Sequence, residues 1–138
     1  MKSLILVLAL ILATPATRPS EFDTKIPAAL SVMQIIAAPE KYDGRVVGTV
    51  GYLALRDDHG ILYLHREDYD FGLYVNGLNI QFEPKLTGED EARFNLHYVY
   101  LSGKFDAEDN GAGPARAGSI KRTSMVILWS TPNASPTR

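Results

Sequence analysis

The residues of this chain that could ligate a metal or pass protons are three histidines, His59, His65 and His97, and acids that fall in short runs. A hydrolytic metal centre needs three or four converging ligands. The best such set is His65 with His97, near the ends of two expected strands, together with a nearby carboxylate such as Asp68. None of the histidines has local ligand spacing, so any convergence has to come from the fold. Asp106-Ala107-Glu108-Asp109-Asn110-Gly111 has the opening rhythm of a calcium loop. Its twelfth position is Ala117 rather than a bidentate glutamate, and it lies between strands rather than helices, so a solvated turn is expected. Covalent catalysis needs an activated serine or cysteine. The chain has no cysteine and no Gly-x-Ser-x-Gly elbow, and Gly111-Ala112-Gly113-Pro114 leads into a strand, not the helix a phosphate cradle needs. The acids of Glu67/Asp68/Asp70 and Glu89/Asp90/Glu91 read as solvated faces. No catalytic, cofactor-binding or metal-ligating residue is therefore assigned.

Aromatic residues carry the stronger signal. Tyr98 and Tyr100 alternate with the apolar Val99 and Leu101, so they point to the side of their strand away from the core, with Ser102 and Lys104. Tyr52 and Tyr63 on two other strands can join them. Tyr52, Tyr63, Tyr98, Tyr100 and Lys104 thus form the candidate ligand or partner face, since tyrosine stacks on bases and sugars. The competing expectation is that an N-terminal helix or a second copy covers this strip.

The elements that must position these residues follow from pattern and punctuation. Ser31-Val32-Met33-Gln34 fits a capping box, with Leu30 and Ile35 at the staple positions, and Pro39 stops that short helix. Pro39 to Gly44 reads as a turn, and a long strand follows from Arg45 to Leu55. Gly48 and Gly51 suit a strand that coils sharply or lets another backbone approach. Further strands are expected at Ile61–His65, Leu73–Phe82, His97–Phe105 and Ser119–Trp129, with a helix over Pro84–Asn95. Asn76-Gly77 offers a hairpin turn as an alternative within the third strand. This order predicts a mainly β fold: a five-stranded OB-fold-like barrel with a short N-terminal helix and a helix between strands three and four. A β-sandwich is the rival architecture.

The N-terminus reads as an address. Lys2 precedes an apolar run from Leu4 to Ala13, and Thr14-Pro15-Ala16 supplies small residues for a cut. That is the order of a secretory signal, and the run is about half the roughly 20 residues a spanning helix needs. The expected organisation is a signal peptide at 1–16, a tail at 17–29, one domain at 30–130 and a tail at 131–138. Export to the periplasm or the medium follows, without a stable membrane anchor. The whole chain has 138 residues and a net charge of −2, and removal of residues 1–16 takes away a lysine. A weakly acidic domain lacks the basic footprint that binds nucleic acid.

Ala38 to Val47, Gly51-Tyr52-Leu53, Leu62-Tyr63-Leu64, Glu67-Asp68-Tyr69, Tyr98 to Phe105 and Gly118-Ser119-Ile120 together resemble a group of small exported bacterial proteins of unknown function. That resemblance spans Leu30 to Trp129 and implies an OB barrel of the anticodon-binding type. It brings no catalytic residues. Fold does not carry function, so it implies no nucleic-acid role. The sequence therefore points to an exported, non-catalytic binding module without a cofactor, with a protein, peptide or glycan as partner. A protector or inhibitor of an envelope-acting enzyme is one form of this. The alternative is a small metal-dependent hydrolase using His65 and His97.

Overall fold

β-Branched and aromatic residues dominate the middle of the chain, and they build a single sheet. The computed structural model describes residues 26–57, 59–110, 114–115 and 117–130. The expected signal segment, the tail up to residue 25, the tail from 131 and Gly111 of the acidic loop lie outside these residues. The strands are β1 (Ala29–Ser31), β2 (Val46–Arg56), β3 (His59–Tyr63), β4 (Gly77–Phe82), β5 (His97–Asp106) and β6 (Ser119–Leu128). The helices are α1 (Val32–Ala37), α2 (Pro39–Tyr42), α3 (Arg66–Asp70) and α4 (Gly88–Phe94), and Tyr74–Asn76 forms a 3₁₀ turn. No helix among the described residues is long and apolar enough to cross a membrane.

The sheet runs β1-β2-β3-β4-β6-β5, and a further β2–β5 pairing closes it into a ring. β2 makes this possible. One edge of it pairs with β5 from Val46 to Leu53; the other pairs with β1 from Gly48 to Val50 and then with β3 from Tyr52 onward. The β4–β6 pairing is parallel and short, ending at Phe82 opposite Thr123. The ring is filled by one face of each strand. Leu53, Leu62, Leu78, Ile80, Val99, Leu101, Phe105 and Ile120 are buried there, with Val32 and Ile35 of α1 and Phe94 of α4.

Two glycines give β2 its multiple partners. A Cβ on Gly51 would lie 2.5 Å from the Tyr63 carbonyl oxygen, and one on Gly48 would collide with the Tyr100 hydroxyl. Both positions therefore exclude a side chain. At the start of α1, the Gln34 Oε1 accepts from the Ser31 amide at 2.8 Å and the Ser31 hydroxyl accepts from the Met33 amide at 3.2 Å. The expected cap is present.

Several boundaries differ from the sequence expectation. The sheet has six strands rather than five, because the three-residue β1 is too short to carry a period. α1 ends at Ala37 with Ala38 as its C-cap, before Pro39 as expected. The turn expected from Pro39 to Gly44 is helical as far as Tyr42, with Pro39 as the first residue of α2, a position where its missing N–H costs nothing. The third expected strand starts later, at Gly77, because Tyr74–Asn76 winds into the 3₁₀ turn, and Asn76-Gly77 makes no hairpin. α4 begins at Gly88 rather than Pro84, where the Thr87 hydroxyl accepts from the Asp90 amide at 3.2 Å and caps it.

Candidate functional site

Tyr52 lies directly across from Tyr63 on β3 and from Tyr98 on β5, so the three rings share the outer face of the sheet. Such cross-strand aromatic neighbours interact edge to face. The Tyr52 and Tyr98 rings are 5.3 Å apart at an edge-on angle. Tyr69 of α3 is 5.8 Å from both Tyr52 and Tyr63, and Tyr74 of the 3₁₀ turn is 6.3 Å from Tyr63. The result is a second apolar cluster outside the ring, formed by Tyr52, Ala54, Ile61, Tyr63 and Ala115, with Tyr69 and Tyr74 over it.

Asp68 holds this cover in place. Its carboxylate is almost wholly buried; it accepts from the His65 amide at 2.9 Å and from the Asn76 side-chain amide at 2.7 Å. One side chain thereby ties the start of α3 to the 3₁₀ turn. Beneath the cover, burial pushes the Tyr63 hydroxyl up to about 12 and raises that of Tyr52, where the nearby Arg66 charge opposes the effect.

The five sequence-predicted face residues therefore part company. Tyr52 and Tyr63 are packed. Tyr100 is also buried, and its hydroxyl donates to the Pro27 carbonyl oxygen at 2.7 Å. The chain segment entering β1 thus covers it. Lys104 is exposed but lies six residues along β5 from Tyr98, about 20 Å at strand spacing. There it lines a charged groove with Asp43, Glu108 and Lys121. Of these five, Tyr98, 37% exposed, is the one tyrosine that presents its ring to solvent.

Tyr98 does so in company the sequence reading did not assemble. It lines an open groove of about 390 Å³ with Tyr52, Arg66, Leu96, Leu128 and Trp129. Trp129 is half exposed, and Leu96 and Leu128 are 43% and 41% exposed, so the groove walls are apolar surface left uncovered. The Trp129 amide donates to the Tyr98 carbonyl at 2.9 Å, which sets the two aromatic residues side by side across β5 and β6. The Tyr98 hydroxyl accepts from the Arg66 amide at 3.1 Å, fixing that ring against α3.

Leu96 is held in the left-handed region, with φ of 58°. A side chain there costs about 1–2 kcal/mol, and the surroundings impose it. The Leu96 amide donates to the Leu53 carbonyl at 2.8 Å, and the Asn95 Oδ1 accepts from the Leu55 amide at 2.9 Å. The strained residue is one whose side chain lines the groove. The sequence reading has Trp129 as the last residue of the final strand but does not join it to the tyrosine face; the signal available was that it is the only tryptophan in the chain.

The acid–base residues are scattered. The His65 Nδ1 lies 3.7 Å from the Asp68 carboxylate, beside α3. The His97 Nδ1 is 2.8 Å from the Asn95 carbonyl oxygen. His59 lines a small cleft with Asp57 and Glu91. Among the described residues, no group of three or more His, Asp or Glu side chains converges to hold a metal ion. In the acidic loop, Asp106 Oδ1 accepts from the Glu108 and Asp109 amides, while its Oδ2 and that of Asp109 lie 2.9 and 2.5 Å from Lys121 Nζ. The hydrogen bond from Lys121 holds the Asp106 carboxyl below its ordinary value. The cation of this loop is thus a lysine of the chain itself.

No protein family matches the chain, and no curated protein does. Several solved structures are weakly similar in shape, two of them as follows. One is a DUF3299 family protein from Pseudomonas aeruginosa PAO1, at 11% identity and a TM-score of 0.44, over 66% of this chain and 65% of that one. The other is a putative aspartyl-tRNA synthetase from Leishmania major Friedlin, at 8% identity and a TM-score of 0.46. That match covers 84% of this chain but only 23% of the synthetase.

Proposed function

We propose that this chain is an exported, non-catalytic binding module on an OB-type barrel, whose protein, peptide or glycan partner seats between Tyr98 and Trp129. Four features support the barrel. They are the ring order β2-β3-β4-β6-β5, its closure through β2, the parallel β4–β6 pair, and α4 between β4 and β5. The apolar run and small residues of the first 16 positions support export. The face of β3 and β4 that OB barrels commonly use is partly taken up here, since α3, the 3₁₀ turn and Ala115 pack over Tyr63 and Ile61. That leaves the groove at the β5–β6 end as the open aromatic surface.

The observation that carries the reading is Leu96. A leucine kept in a strained backbone conformation and left 43% exposed in an aromatic groove is costly for a residue without a task. A protector or inhibitor of an envelope enzyme would use the same surface, with the partner's chain inserted against Trp129. The net charge of −2 disfavours nucleic acid as partner.

Trp129 makes the test direct, because it is the only tryptophan in the chain and lines the groove. Glycan fragments, extended peptides and single-stranded oligonucleotides should be titrated against the protein. A saturable blue shift with one of the first two is expected, weakened at least tenfold by Tyr98→Ala. Leu96→Gly relieves the strain and keeps stability within about 1 kcal/mol, yet it should also weaken binding. Saturable binding that neither substitution touches would place the partner elsewhere and overturn the assignment.

A further inference from the structure

We infer that the outer edge of β6 pairs, antiparallel and about a two-fold axis, with the same edge of a second copy of this chain. β6 has a strand on both sides only as far as Thr123, where the pairing with β4 ends. From Val126 to Leu128 it is paired with β5 alone among the described residues. The phase of that pairing decides which main-chain groups are left over. The Trp129 amide donates to Tyr98, so Tyr98 and Trp129 form a hydrogen-bonded pair. Alternation in an antiparallel ladder then makes Tyr100 with Ile127 the next such pair. Val126 and Leu128 fall between, and turn their N–H and C=O groups away from β5, toward the open edge.

Natural proteins blunt such edges with lysine, proline or a bulge. Thr123-Ser124-Met125-Val126-Ile127-Leu128-Trp129-Ser130 contains no charge and no proline, so nothing along it repels a second strand. Its side chains are exposed as well: Ile127 at 47%, Leu128 at 41% and Trp129 at 50%. A groove lined by Pro84, Leu86, Phe94, Ser124 and Val126 runs beside the edge and gives an added strand room.

The occupant that fits is the segment itself. If the axis passes through Ile127, Val126 of one copy faces Leu128 of the other, and both have their main-chain groups turned outward. Each of these symmetric pairs then exchanges both hydrogen bonds. The same register sets Ile127 against its own copy and Met125 against Trp129, all on the outer face, so the apolar side chains meet each other. A shift by one residue would set each outward-turned residue opposite one whose groups turn toward β5, and lose those bonds. Self-complementarity of this kind is what a two-fold interface requires.

The chain has no cysteine, which allows a sharp test on the full-length protein. Ile127→Cys puts one thiol on each side of the axis, in a non-hydrogen-bonded pair with Cα atoms about 4.5 Å apart, within disulfide range. Mild oxidation should give a covalent dimer rapidly, while Lys41→Cys, on α2, should not. In sedimentation equilibrium the unmodified protein should show a concentration-dependent dimer. Leu128→Pro, which removes an outward donor and leaves the ladder to β5 intact, should weaken that dimer at least tenfold with an unchanged circular-dichroism spectrum. So should Ile127→Lys. A protein that stays monomeric at all concentrations, even if a foreign peptide binds it, overturns the inference. A dimer that neither substitution affects, or equal cross-linking at position 41, overturns it too.

Discussion

At the scale of single residues, one hydroxyl reports on the whole outer cluster. Tyr63 loses almost all its water to Tyr69 and Tyr74, and burial holds it neutral up to about 12. A group whose folded value is raised above its unfolded one contributes stability that is complete below the unfolded value, near 10.0. That contribution is lost as pH climbs from there toward 12. The tyrosinate absorbance of the protein should therefore rise in two stages. The late stage belongs to the buried Tyr63, which ionises only as the fold gives way. Tyr63→Phe should remove part of the alkaline loss of stability. A single stage near pH 10 with the fold intact would mean that the ring is solvated.

At the scale of elements, α3 behaves as a lid fastened by one carboxylate. Asp68→Ala would leave the His65 amide and the Asn76 side chain without their acceptor. Both groups are part-buried, so each one orphaned costs about 1–2 kcal/mol, the lower part of the range for a fully buried orphan. Loss of about 2–4 kcal/mol in denaturant unfolding is expected, with a weakened near-ultraviolet signal as Tyr69 loosens. Asp68→Asn, which keeps an oxygen for one of the two donors, should fall between. An unchanged near-ultraviolet signal in the alanine variant would show that α3 is held by its aromatic contacts alone. The sequence disclosed β2 readily, because alternation and the placement of Gly48 and Gly51 are local properties. The capping box of α1 was equally plain. α3 was legible only in outline: Arg66–Gly72 reads as a charged loop with room for one helical turn, and only packing reveals that Asp68 and Tyr69 turn inward. The groove was legible by half. Periodicity puts Tyr98 outside the core, but Leu96 and Trp129 arrive beside it through a turn and a strand end, which have no period.

At the scale of the molecule, β2 is the seam. It is bonded on one edge to β5 and on the other to both β1 and β3, so the ring cannot open without unpairing it. Its central amides, from Val47 to Leu53, should be among the slowest to exchange hydrogen, matching the global unfolding free energy. In the dilute monomer those of the segment 124–128, bonded on one side only, should exchange sooner, and formation of the dimer should slow them. Equal protection in both segments would mean that the edge of β6 is already covered in solution. The seam also constrains how such a chain can drift over generations. Gly48 is empty space reserved for the ring of Tyr100, whose hydroxyl in turn holds Pro27. A side chain cannot arrive at position 48 while the tyrosine remains, and a smaller residue at 100 releases the segment leading into β1. The two positions can change only together, through an intermediate that is worse than either end, so descendants that share this closure should keep the glycine–tyrosine pair or lose both.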